Sequence, residues 1–108
     1  MKQNKVLSLL GLAIRGRNLV SGEFQTETAV KSGDALLVIV AQDASANTKK
    51  LFHDKCSYYE VPIEEYSTKI ELGRAIGKDL RSSLAICDAG LANAIQKEIE
   101  LQRTNMRG

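Results

Sequence analysis

Residues 36–45 read Leu36-Leu37-Val38-Ile39-Val40-Ala41-Gln42-Asp43-Ala44-Ser45, and this stretch decides the fold. The run from Leu36 to Val40 has no polar position, so neither face of a strand built from it can meet water. That is the pattern of a central strand covered on both sides. Asp43 or Ser45 then offers an N-cap to a helix over about residues 45–57. A buried strand followed at once by a capped helix is one unit of an alternating α/β chain.

The alternation continues in both directions. Upstream, Val6, Leu7, Leu9, Leu10, Ala13 and Ile14 give residues 3–15 the wide apolar face of a packed helix. Gly16 is placed to end it in a left-handed turn. Asn18–Val20 is expected to be a short strand. Ser21-Gly22 opens a second helix over about 22–32, and Gly33 stops it. Downstream, Phe52, Cys56 and Tyr59 form the apolar stripe of the third helix. Glu60–Ile63 is expected as a strand, and Pro62 places it near an edge. Thr68 with Glu71 reads as a capping box for a fourth helix ending at Gly77. Ser83–Cys87 is a second buried strand. Asp88 caps a last helix with the stripe Leu91, Ile95 and Ile99, and residues 104–108 are expected to fray.

Helices and strands in this order predict a three-layer α/β/α sandwich in one domain over residues 1–108. Leu36, Val38, Val40, Leu84 and Ile86 should be buried in it. The core must be aliphatic, because 108 residues carry only three Tyr, two Phe and no Trp.

Composition removes several function classes. No apolar run approaches the roughly 18–20 residues that cross a bilayer, and no secretory leader or lipidation signal is visible, so a cytoplasmic protein without membrane contact is expected. One His and two distant cysteines, Cys56 and Cys87, give no zinc spacing; both thiols are expected free and buried. Neither GxGxxG nor GxxxxGK[ST] occurs. His53 lies between Phe52 and Asp54, beside Lys49, Lys50 and Lys55, and reads as a helix-surface residue. No nucleophile or acid–base pair is recognisable, so no enzyme, cofactor or metal is expected.

Charge is uneven. Residues 1–20 hold Lys2, Lys5, Arg15 and Arg17 and no acid; residues 34–66 hold three bases and six acids; residues 67–108 hold seven bases and five acids. A polyanion should therefore approach the two ends.

Two junctions stand out. At Ser21–Thr26 a Gly opens a helix N-terminus, whose free N–H groups suit phosphate or base acceptors. There Gln25 can donate and accept to a base edge, and Phe24 can stack or enter the core. Gly77–Ser83 carries Lys78, Arg81, Ser82 and Ser83 on a loop leading into a buried strand. With Arg15 and Arg17 read as lying beside Gly22, these would make a basic, partly apolar patch of the kind that binds structured RNA.

Several segments resemble a known family. They are Leu9-Leu10-Gly11-Leu12-Ala13-Ile14-Arg15, Val20-Ser21-Gly22, Ala29–Gly33, Leu37–Ser45, Asn47-Thr48-Lys49-Lys50, Val61-Pro62 and Leu72-Gly73-Arg74-Ala75-Ile76-Gly77-Lys78. In this order they are similar to the kink-turn RNA-binding ribosomal proteins, the L-seven-Ae family, and most of all to its short bacterial members. The resemblance implies an α/β/α sandwich with a mixed four-stranded sheet. It implies binding of structured RNA, a kink-turn or ribosomal RNA, and an association with the ribosome, by a monomer. It also implies an RNA site at the two junctions: Gly22, Glu23, Phe24, Gln25, Thr28 and Lys31 on one side, Lys78, Arg81 and Ser82 on the other, with Arg15 and Arg17 flanking.

Tight kink-turn binders of the family usually read Gly-Thr-Asn-Glu with a Lys three residues on. Here Gly22 is kept, while Glu23, Phe24, Gln25 and Thr28 stand at the other four positions. Gln25 resembles the bacterial variant. Glu23 and Phe24 support a second reading, a protein-interaction module on the same fold, since a Phe at a site centre can anchor a protein contact.

Overall fold

A computed structural model describes residues 4–107 of the chain. The order is α1 (Lys5–Arg15), β1 (Leu19–Ser21), α2 (Glu23–Ser32), β2 (Leu37–Val40), α3 (Ala46–Tyr59), β3 (Ile63–Glu65), α4 (Lys69–Ala75), β4 (Ser83–Ile86) and α5 (Ala89–Arg107). The strands form one mixed sheet in the order β1-β4-β2-β3. β4 is antiparallel to both β1 and β2, and β2 is parallel to β3 through the α3 crossover. The three-layer α/β/α sandwich expected from the sequence is therefore present.

Helices α2 and α3 pack together over one face, against β4 and β2 respectively. On the other face α1 packs on α5 and α4, and α5 reaches β4. All four residues of β2 and all four of β4 are buried. The aliphatic side chains Leu37, Val38, Ile39, Val40, Leu84 and Ile86 make the centre, closed by Val6, Leu10, Val30, Phe52, Leu72, Ile95 and Ile99. At roughly 1.5–3 kcal/mol per fully buried side chain, this core is what holds the layers together.

Local chemistry sets the ends of the elements. Asn4 caps α1, its side chain accepting from Leu7 N–H at 3.2 Å. Ser45 caps α3 through Thr48 N–H at 3.1 Å, and Thr68 caps α4 through Glu71 N–H at 3.1 Å. Asp88 Oδ2 accepts from Leu91 N–H at 2.9 Å at the start of α5.

Several expectations are corrected. Leu36 is 39% exposed, because β2 begins one residue later and Leu36 lies at the rim of the sheet. β3 is Ile63–Glu65 rather than Glu60–Ile63; Glu60 is a left-handed turn residue (φ 58°) that ends α3. The first helix ends through Arg17 (φ 60°), not through a left-handed Gly16, whose φ is −86°. Tyr59 is 40% exposed rather than part of a buried stripe. Cys56 is buried, but Cys87 is only half-buried. α5 extends to Arg107, and Gly108 lies outside the described residues.

Candidate nucleic-acid interface

Both junctions meet at one edge of the sheet. β1 ends at Ser21, which pairs with Leu84 near the start of β4. Gly22 follows with φ 91° and donates its N–H to Ser83 O at 3.0 Å. That φ is one L residues avoid. A Cβ on Gly22 would meet nothing within 4 Å, so the turn opens on free space. Its strictness is conformational, and the space above it is available to a ligand.

Gly22 is also the N-cap of α2 and makes no side-chain capping bond. Ser21 does not cap the helix, since its Oγ accepts from Arg81 Nε at 3.1 Å. The first N–H groups of α2 thus face the open turn with no side-chain acceptor. Glu23 and Gln25 are exposed beside them, and Phe24 is 81% exposed, so it is not a core residue. Thr28 is exposed, and its Oγ1 donates to Phe24 O at 2.8 Å. Thr26 Oγ1 and Ser83 Oγ are buried without a hydrogen-bond partner.

The opposing loop is held from three sides. Lys78 N–H donates to Gly73 O at 2.8 Å, Arg81 N–H to Lys69 O at 3.1 Å, and Ala41 N–H to Ser82 O at 2.9 Å. Gly73 makes the close approach possible, because a Cβ there would lie 1.5 Å from Asp79 O. Arg81 is half-buried and spends Nε on Ser21 and Nη1 on Leu80 O (2.9 Å), leaving part of its donor fork free. Lys78 is exposed, Ser82 is half-buried, and Leu80 is 55% exposed.

Two residues after β2 take a place at this edge that the sequence reading did not assign them. Asp43 does not cap α3; its Oδ1 accepts from Lys69 N–H at 2.8 Å, and Gln42 N–H donates to Ser67 O at 2.8 Å. The β2–α3 turn and the start of α4 therefore join the same edge. No local pattern announces a bond between residues 26 positions apart.

Three expected residues lie elsewhere. Lys31 is in the last turn of α2 and pairs with Glu27 at 3.2 Å; Lys55 of α3 approaches the same carboxylate at 3.8 Å. Arg15 and Arg17 are not beside Gly22. β1 separates them: Leu19 pairs with Ile86 at one end of β4, and Gly22 bonds Ser83 at the other. Five extended residues cover about 16 Å. Arg15 instead lines the groove between α1 and α4, with Gly11, Ile14 and Gly77.

Among the described residues, no group of three His, Cys, Asp or Glu side chains could hold a metal ion, and no helix is long and apolar enough to cross a membrane.

Sheet order, buried paired strands and a glycine-opened helix start beside a basic loop define the class, and the sequence match agrees. Residues 4–96 match the "Ribosomal protein L7Ae/L30e/S12e/Gadd45 family", and the chain belongs to that family. It is 45% identical over 87 residues to the RNA-binding protein YlxQ of Bacillus subtilis (strain 168), covering 81% of this chain and 87% of that one. It is 42% identical over 98 residues to the RNA-binding protein YlxQ of Enterococcus faecium, covering 91% and 94%. A solved structure of a protein with unknown function from Bacillus halodurans C superposes with a TM-score of 0.88 at 43% identity, covering 91% of this chain and 99% of that one.

Proposed function

We propose that the protein binds structured RNA, of kink-turn or ribosomal type, at the edge formed by Gly22–Thr28 and Lys78–Ser82, and performs no catalysis on it. The observation that carries this is the open Gly22 turn. It presents uncapped α2 N–H groups and is bonded directly to Ser83, at the end of the loop that holds Lys78 and Arg81. Free N–H donors and cations suit phosphate, and Gln25 suits a base edge. Relatives called RNA-binding proteins, more than 40% identical over most of the chain, support the same reading.

The test is a titration of the wild type and variants against a kink-turn RNA and an unkinked duplex at two salt concentrations. Gly22→Asp should abolish tight binding, since it strains the backbone and sets an anion where phosphate approaches. Lys78→Ala should weaken binding to every RNA and reduce the salt slope by about 1. Gln25→Ala should cost about 1–3 kcal/mol, and only on the preferred RNA. If the wild type binds neither RNA at low salt, the reading is wrong. The protein-interaction reading would then lead, supported by Phe24 at 81% and Leu80 at 55% exposure on this edge. Binding of that kind would be nearly insensitive to salt, because apolar contacts release no counterions.

A further inference from the structure

The ion pairs of this protein gather on α2, α3 and the edge strand β3. Every ion pair among the described residues draws on α2, α3, β3 or α5. Lys31 and Lys55 meet Glu27, Lys49 and His53 meet Glu65, Lys50 meets Asp54, and Arg103 meets Glu64. On α1, α4 and the loop after α4 no ion pair forms among the described residues; in that layer only α5 has one, Arg103 with Glu64. Arg15, Arg74 and Lys78 are exposed there. The acids near them do not take them up. Glu71 accepts from Ser67 Oγ at 2.8 Å, and among the described residues neither Glu71 nor Asp79 comes within ion-pair distance of a cation.

Arg15 and Arg74 line depressions between α1 and α4, and Lys78 adjoins Arg74. α1 and α4 run side by side, with Leu7 near Arg74 at one end of the groove and Arg15 near Gly77 at the other. Gly11 keeps the helices close, since a Cβ there would sit 3.3 Å from Ala75 O. Arg74 and Lys78 share a depression with Ile70, Leu80 and one acid, Asp79. The start of α4 touches the candidate interface through Lys69 and Arg81. The seven residues of α4 extend about 10 Å from there, room for about three phosphates along one strand.

We infer that Arg74, with Lys78 and Arg15, forms a phosphate-tracking surface along the α1–α4 groove, which carries a helical stem of the bound RNA away from the Gly22 edge. The inference rests on the RNA-binding reading above. It gives the footprint a direction, over the α1–α4 layer and away from α2–α3. Charge complementarity selects the occupant: a polyanion gains from unpaired cations, whereas the α2–α3 side is already neutralised by its own acids.

The experiment compares a kink-turn RNA with minimal stems and the same RNA with one or the other stem lengthened by about half a helical turn. Wild type, Arg74→Ala, Arg15→Ala, Arg74→Lys and the α3 control Lys50→Ala are titrated over a salt series. Wild type should bind one of the two lengthened RNAs several-fold more tightly than the minimal RNA, with a steeper salt slope. Arg74→Ala and Arg15→Ala should each lose part of that gain and up to about 1 in slope, yet match wild type on the minimal RNA. Arg74→Lys should retain most of the gain, as a phosphate contact needs charge more than a fixed fork. Lys50→Ala should behave as wild type. If wild type binds the minimal RNA but Arg74→Ala and Arg15→Ala equal it on both lengthened RNAs, the surface is not an RNA track and the edge site stands alone. If wild type binds none of the RNAs, the RNA-binding reading itself fails and takes the track with it.

Discussion

Glu65 lies on the edge strand β3, with His53 Nε2 at 2.8 Å and Lys49 Nζ at 3.3 Å. The His53 hydrogen bond, helped by Lys49 and opposed by partial burial, holds its carboxyl below the ordinary 4.5. A carboxyl lowered on folding adds stability above its unfolded value, and that stability is lost as pH falls through the folded one. The group is partly solvated, so the contribution is small, about 0.5 kcal/mol or less. Glu65→Gln should destabilise the protein slightly at pH 6, and the difference from wild type should shrink as pH falls through the carboxyl's lowered value. Urea unfolding across that range measures it; a difference that grows toward acid would refute the assignment. The thiols differ in the same local way. Burial pushes Cys56 up to about 11, while half-buried Cys87 is raised by burial and by Asp34. A thiol reagent at pH 8 should modify Cys87 slowly in the native protein and Cys56 only after unfolding. Equal rates for both would contradict this. The sequence showed both cysteines as free but could not show that Cys87 stands just past β4, where the backbone leaves the sheet.

At the scale of elements, the helices were legible because their caps and stripes are local: Ser45, Thr68 and Asp88 cap where the sequence placed caps. β3 was misplaced because nothing local marks it. Its residues Ile63-Glu64-Glu65 become a strand by pairing with Val38, Ile39 and Val40, and that partner is distant in sequence. The same limit hid Gly73. In sequence it is a glycine inside a helix; in the fold it is the contact that lets the Lys78–Asp79 backbone lie on α4. Gly73→Ala would force that backbone out by more than an ångström. The expected result is a loss of about 1–3 kcal/mol in stability, as for an overpacked core position. RNA affinity should also fall by more than in Lys78→Ala, because the whole loop moves rather than one charge. Thermal unfolding and the RNA titration together check it; a variant with normal stability and normal binding would show that the loop does not depend on this contact.

Across the whole molecule, the fold brings Gly22, Gln25, Lys78, Arg81 and Ser82 together, and each is at or near an element boundary, where local sequence signals are strongest. Arg15, Arg17 and Lys31 lie away from that group, because nearness in sequence is not nearness in space. A three-residue strand carries Arg17 to the far end of the sheet, and nine helical residues carry Lys31 about 14 Å from Gly22. The topology that separates them also orders the stability of the parts. β2 and β4 are interior and fully buried, while β1 and β3 are edges. Amide exchange should therefore be slowest at Val38–Val40 and Leu84–Ile86, and faster at β3, where hydrogen bonds open without breaking the core. RNA should act on a different set. Structured RNA that seats on the Gly22 edge and runs along α4 should slow exchange at residues 22–28, 69–75 and 77–82. It should leave α3 unchanged, because that helix faces the neutralised layer. Exchange measured with and without a kink-turn RNA distinguishes the two directions. Protection that appeared across α3, with residues 69–75 unaffected, would turn the footprint onto the opposite face.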